Sequence, residues 1–336
     1  MIGRDVLTGV NAATLLWLDG CLVDWSNVGR ILYPVTDGKL PQNMGKYGYS
    51  YNFDSCIISR DSQYIFLYQN LGTKGLLLRR NGDIIREINR SYYHADVYEY
   101  PVAFLSYNDK SYLIHCPHSY AQLDFEDIET GEIITAVKGR EPADFFHSRL
   151  EVSPDNKHLL SKGWIWHPAD SVRLFNIEAC FNDPLELDKP SVTQPEANAD
   201  ISTACFITDN HILLGCPPFS EVYDDEVTDI LTERQIGVWD IIEKKMVHIV
   251  SVGLDFGNLY PIGKHYVWDL YKYPKIIDIR SGKVVSEIDE IYSGTKCSSI
   301  IHHLHDLPLM AFDYRTKSIA ILHDRTLNIL TPRNRF

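Results

Sequence analysis

The residues best suited to chemistry stand in two short stretches: His302, His303 and His305 beside Asp306, and His115 with Cys116 and His118. Imidazole, thiolate and carboxylate groups hold a transition metal when three or four of them converge on one point. In an extended chain His303 and His305 share one face, His302 points to the other, and Leu304 lies between them. Pro117 separates His115 from His118, which gives the spacing of neither a zinc finger nor a helical pair of ligands. Satisfied or surface imidazoles are therefore expected at both places. The glycine-lysine phosphate cradle is absent, and so is GxGxxG, the nearest glycine groups being Gly45 with Gly48 and Gly72 with Gly75. Neither a GxSxG nucleophile elbow nor an HExxH zinc pair occurs. The chain carries 45 Asp and Glu residues, but no linear pattern pairs two of them for acid–base work. These residues assign no catalytic group, no metal and no cofactor.

Against 32 Lys and Arg, the carboxylates leave a net charge of −13. That balance argues against a general nucleic-acid or anionic-membrane binder, because both partners demand a positive field. A protein partner, basic or neutral, is favoured. Seven cysteines without a CxxC pair do not read as a disulfide framework. Asp5, Trp17 and Asp19 surround the short apolar run near the start, so residues 1–20 lack the basic opening and small-residue cleavage site of a signal peptide. No apolar run reaches the length of a membrane span. Asn89-Arg90-Ser91 matches the glycosylation triplet, as one site in a chain of this length does by chance. A cytoplasmic protein is expected.

The elements that would position any site show themselves as a repeat. Asp127-Ile128, Asn176-Ile177, Asp240-Ile241 and Asp278-Ile279 each end an apolar stretch, at intervals of 49, 64 and 38 residues. The mean of about 50 is the period of four-strand propeller blades. Turn residues follow, as in Glu129-Thr130-Gly131 and Arg280-Ser281-Gly282. A second set of anchors precedes the first by about 20 residues: Ser59-Arg60-Asp61, Asn108-Asp109, Ser153-Pro154-Asp155 and Thr208-Asp209-Asn210. No segment sustains a helical period, whereas β-branched and aromatic residues recur in short runs. The chain reads as all-β, a single propeller domain over residues 1–336. Its blades fall near residues 50–90, 99–138, 146–188, 200–252, 258–289 and 298–332. Residues 9–38 supply the seventh set of strands, and pairing of these N-terminal strands with the last blade is expected to close the ring.

Ser153-Pro154-Asp155-Asn156-Lys157-His158-Leu159-Leu160, Val238-Trp239-Asp240-Ile241 and Asp278-Ile279-Arg280-Ser281-Gly282-Lys283 resemble WD40-like β-propeller blades. Only Trp239-Asp240 stands at the third-strand position, and the Gly-His pair is irregular, so the resemblance is to a divergent member. It implies a scaffold that binds other macromolecules, with propeller enzymes as the minority case.

In a four-strand meander the A–B and C–D turns lie on one rim, and the B–C loops and D–A connections on the other. The second set is the longer here: residues 138–147, 163–170, 187–198, 217–234 and 289–298. These connections carry Phe145, Phe146, Trp164, Trp166, Phe219 and Tyr223, aromatic residues suited to a protein interface. Residues 221–233 add Asp224, Asp225 and Glu226, an acidic stretch that would steer a basic partner. The expected function is non-catalytic docking of a macromolecular partner on this rim. The competing class is a propeller hydrolase, lactonase or lyase with residues gathered at the central channel mouth.

Overall fold

The computed structural model describes residues 1–34, 48–218 and 230–333. Its strands form seven antiparallel sheets, taken here as blades one to seven in chain order. Blade one holds Leu16–Leu18, Cys21–Asp24 and Arg30–Pro34, and blade two Ser55–Ile58, Tyr64–Tyr68, Lys74–Arg79 and Ile84–Asn89. Blade three comprises Val102–Tyr107, Lys110–His115 and Asp124–Asp127, and blade four Glu151–Val152, His158–Ile165 and Ala169–Asn176. Blades five and six have four strands each: Thr203–Phe206, His211–Cys216, Gln235–Asp240 and Lys245–Ser251, then Leu259–Pro261, Tyr266–Asp269, Lys275–Asp278 and Lys283–Glu287. Blade seven contains Leu309–Phe312, Ile319–His323 and Thr326–Pro332, and its outer strand is Ile2–Thr8.

The closing strand differs from the expected one. Ile2–Thr8 pairs with Thr326–Pro332, with Asp5 opposite Ile329, while residues 16–34 make a blade of their own. The turns at Asp19-Gly20 and within residues 24–30 look alike in sequence to any other blade turn, so only the pairing register separates a closing strand from a new blade.

Each pair of neighbouring blades encloses its own apolar core, and seven such cores complete the circle. Ile65 and Leu67 face blade one, while Phe66 faces blade three. Ile212 and Leu214 face blade four, and Leu213 between them faces blade six. Successive side chains of a strand point to opposite faces, and here both faces are covered. This is why the strands read as continuous apolar runs rather than an alternation. The last core joins Leu322, Leu327 and Ile329 to Val10, Leu15 and Leu22, closing blade seven on blade one.

Local side-chain chemistry sets the turns. Ser59 Oγ donates to Asp61 at 2.5 Å and accepts from the Tyr64 N–H at 3.0 Å, and Ser153 repeats the pattern with Asp155 and His158. After the third strand, Asp127 Oδ1 accepts the N–H groups of Glu129 and Thr130, and Asp240 Oδ1 those of Ile242 and Glu243. Gly131 and Gly282 occupy the left-handed region that closes two of these turns, at φ +75 and +68.

Blades three and four depart from the four-strand plan. In blade three a single bridge, Glu126 to Ile133, stands in the outer position. In blade four Asn176 caps a short helix, Ile177–Asn182, by accepting from the Ala179 N–H at 2.9 Å. The outer edge of Ala169–Asn176 is covered by the Gln194 side chain, whose amide accepts the Leu174 N–H at 2.7 Å and donates to the Leu174 carbonyl at 2.8 Å. A side-chain amide thus replaces a strand at that point.

Removing residues 1–8 turns Thr326–Pro332 into an open edge and uncovers part of the closing core. The truncated chain is expected to melt at least several degrees lower and to elute as associated species in size-exclusion chromatography. An unchanged melt and a monomeric peak would show that the N-terminal strand does not hold the ring.

Candidate docking face

The rim carrying the B–C loops and D–A connections is organised by one long connection, residues 288–308, between blades six and seven. It runs across the channel mouth rather than along the rim. Near its start Lys272 and Gly294 form a bridge with the B–C loop of blade six. Farther along, Ser299 Oγ donates to Asp170 of blade four at 3.1 Å, and the Ser299 carbonyl accepts the Glu99 N–H at 3.2 Å. The Ile301 and His302 N–H groups both donate to the Val97 carbonyl, and Ile300 bridges Tyr98. This strap joins blade six to the connection that enters blade three. Lys296 Nζ reaches Glu99 beneath it, Arg149 Nε lies 3.9 Å from Glu99, and Arg149 Nη1 donates to Asn258 at 2.7 Å. Burial pushes the Asp170 carboxyl up, against the opposing pull of Arg149 and the serine hydroxyls.

On the opposite rim, Arg60 of blade two donates to the carbonyls of Val152, Ser153 and Pro154 in blade four.

Beside the strap, the connection from blade two to blade three is built around a buried arginine. Arg90 donates to the carbonyls of Gly72 at 2.7 Å, Ala95 at 2.5 Å and Tyr98 at 2.9 Å. Its guanidinium lies over the rings of Tyr98 and Tyr100 at 4.6 and 4.8 Å. Carbonyl dipoles and ring faces replace a carboxylate partner, and burial draws its pKa down. The segment it holds presents Tyr92 and Tyr93 outward.

Those tyrosines meet an aromatic pile. Tyr93, Tyr120, Phe146 and Trp164 lie nearly parallel, with centroid separations of 5.2, 4.0 and 3.7 Å in that order. Trp166 lies nearly parallel to Trp164 at 6.0 Å, and His94 stands edge-on between Tyr93 and Trp166. Tyr120 Oη donates to Asp144 at 2.8 Å, and burial together with that carboxylate pushes the phenol up to about 12. The pile has a dry base and an open top. Phe146 and Trp164 are buried, whereas Tyr92 is 85%, Tyr93 44%, Ile165 38% and Trp166 49% exposed.

Of the expected interface residues that fall among the described ones, Trp166 is the one at the surface. Phe145, Phe146 and Trp164 are buried and serve packing instead: Phe145 sits against Arg173 and His147, and the other two form the base of the pile. Phe219, Tyr223, Asp224, Asp225 and Glu226 lie outside the described residues. Tyr92, Tyr93 and His94 were not expected at the interface, because residues 90–99 read as the boundary between two blades. The signal was present in the Tyr92-Tyr93-His94 run with Tyr98 and Tyr100 close behind. The histidines that first drew attention are apart from this face or lie loose on it. His302, His303 and His305 are exposed in a turn rather than on a strand. His115 is buried with Nε2 2.9 Å from Glu126. Burial alone would raise the Glu126 carboxyl; the bonds from His115 and Arg86 outweigh it and hold that carboxyl below its ordinary value.

No protein-family model and no curated protein matches the sequence. Solved structures do match in shape. One chain of a crystal structure of the mitotic checkpoint complex superposes with a TM-score of 0.59, over 98% of this chain and 91% of that one, at 12% identity. At that identity the shared property is the fold. It agrees with the WD40-like propeller that the blade motifs resemble.

Replacing Asp170 with alanine removes the acceptor for Ser299, so amide exchange across residues 297–302 should accelerate at least about tenfold; unchanged protection by mass spectrometry would assign the anchoring to other contacts. His147 is fully enclosed, donating or accepting with Ser161 Oγ at 3.0 Å, and burial with Arg173 nearby pulls its pKa down to about 3. The unfolded chain therefore binds this proton first, near pH 6.5. Stability should fall as pH drops from about 6.5 towards 3, by up to about 1.4 kcal/mol per pH unit from this group. Denaturant titrations of His147→Asn should show a correspondingly flatter slope over that window; an identical slope would mean that His147 protonates freely in the folded state.

Proposed function

We propose that the protein is a non-catalytic interaction scaffold that docks a partner protein on the B–C and D–A rim, at the ledge formed by Tyr92, Tyr93 and Trp166. Tyr93 and Trp166 are about half exposed yet stack on the rings of Tyr120, Phe146 and Trp164, so contact area is presented with little ordering left to lose. Aromatic anchors of this kind dominate the energetics of protein interfaces.

Docking is favoured over catalysis at the channel mouth because Lys296 engages Glu99 and Arg149 engages Asn258 at the strap, with Glu99 Oε1 and Arg149 Nη2 buried there without a hydrogen bond among the described residues. The solved chain of similar fold belongs to a multi-protein assembly, which supports the same reading. In the sequence between Cys216 and Gln235, Asp224, Asp225 and Glu226 form an acidic stretch that would steer a basic partner. A cytoplasmic setting fits seven free cysteines, five of them buried.

The test is affinity capture from a native extract with wild type and a Tyr92→Ala, Tyr93→Ala, Trp166→Ala variant. All three side chains are substantially exposed, so the variant should melt within a degree or two of wild type. Phe145, Phe146 and Trp164 are left intact, since truncating a buried aromatic costs about 3–5 kcal/mol of stability. A stoichiometric partner should be retained by wild type and held at least about tenfold more weakly by the variant. Equal retention by both would remove the ledge from the docking surface.

A further inference from the structure

Resting on that docking reading, we infer that the ledge takes a lysine or arginine side chain of the partner, held against the rings of Tyr93 and Trp166 with Asp96 and Asp144 as counter-charges. Of the other exposed rings, two carry one of the chain's own cations: Lys74 lies over Tyr51 at 5.4 Å and Lys317 over Tyr314 at 5.9 Å. Among the described residues, no lysine or arginine lies over Tyr92, Tyr93 or Trp166, although these include the most exposed of the aromatic side chains.

Charge around the ledge points the same way. The three segments that build it, residues 91–97, 143–146 and 164–168, contain no lysine or arginine. They do contain Asp96 and Asp144, both exposed. Asp144 sits at the rim of the pile, where it accepts the Tyr120 hydroxyl. Ring quadrupoles attract a cation to their faces, and the two exposed carboxylates outnumber the one buried arginine, Arg90, that holds residues 91–98 in place. An acidic or purely apolar segment would leave both carboxylates facing either like charge or dry contact. The net charge of −13 adds a longer-range pull on a basic partner.

The experiment is selection of a displayed random dodecapeptide library on the intact wild-type protein, with counter-selection on Trp166→Ala. The expected survivors share one arginine or lysine at a fixed position beside an apolar residue. In synthetic survivors, replacing that cation with citrulline or norleucine should weaken binding about 5- to 30-fold. The Asp96→Asn, Asp144→Asn double variant should weaken it several-fold while leaving the melt unchanged, and the loss should shrink at high salt. Survivors that need Trp166 but carry no fixed cation would overturn this inference and leave the docking ledge standing. If no peptide depends on Trp166, both readings fall together. Equal binding to the aspartate variant would remove Asp96 and Asp144 from the site.

Discussion

Everything else in this molecule depends on one pairing, that of Ile2–Thr8 with Thr326–Pro332. Every blade buries both of its faces, so no blade is stable alone and none has a face to spare for solvent. A row of six inter-blade cores would leave two outer sheets each with an apolar face exposed. Joining the chain ends within blade seven and packing that blade on blade one converts the row into a circle, and the seventh core covers both faces at once. The register matters as much as the pairing. A slip of one residue would turn the side chains of the N-terminal strand to the wrong face.

A closed ring creates a second problem at its centre. The inner strands converge on a channel lined by polar and charged groups, and such groups are costly if enclosed without partners. The two rims answer this differently. Arg60 meets backbone carbonyls alone on one rim, while on the other Lys296 meets Glu99, Arg149 meets Asn258 and Ser299 meets Asp170, with Glu99 Oε1 and Arg149 Nη2 left without a hydrogen bond among the described residues. Buried aspartates perform the same service around the rim. Asp24 receives the Thr14 hydroxyl at 2.9 Å and the Asn27 amide at 2.6 Å, and Asp269 receives the Gly257 N–H at 3.0 Å beside Lys275. Each ties a B–C loop to the D–A connection entering its own blade. The described loops tied in this way are consequently pinned rather than free.

The legible and illegible parts of this structure divide by range. Blade turns depend on residues two to five apart, as in Ser59 with Asp61 and Tyr64, so their chemistry is visible in any short window. The blade count and the all-β class follow from that local grammar. The closing strand was misplaced because its partner lies more than three hundred positions away, and nothing local marks it. Burial of Phe145, Phe146 and Trp164 was illegible for a related reason. An aromatic residue in a connection looks the same whether it faces solvent or forms the base of a pile, and the decision rests with Tyr93 and Tyr120 arriving from a different blade boundary. Trp164-Ile165-Trp166 shows the limit most clearly. The two indoles do share a face, as alternation requires, yet one is buried and the other half exposed, because the pile covers only the inner one.

The place where the repeat breaks down is also the place where the ledge stands. Blades two, five, six and seven have four full strands, while blade three ends in a single bridge and blade four in a helix and a glutamine side chain. Two of the segments that build the ledge, residues 143–146 and 164–168, come from the irregular blades or the connection between them, and the third, residues 91–97, follows the complete blade two. The loss of regular pairing is compensated by side chains: Arg86 reaches from blade two to the carbonyls of Asp127 and Ile128, and Arg140 joins Asp124 to Asp188. Irregularity alone would give a mobile loop. Irregularity held by buried arginines and a stacked aromatic base gives a fixed surface with a shape of its own, which a repetitive scaffold must have at some point if it is to distinguish one partner from another.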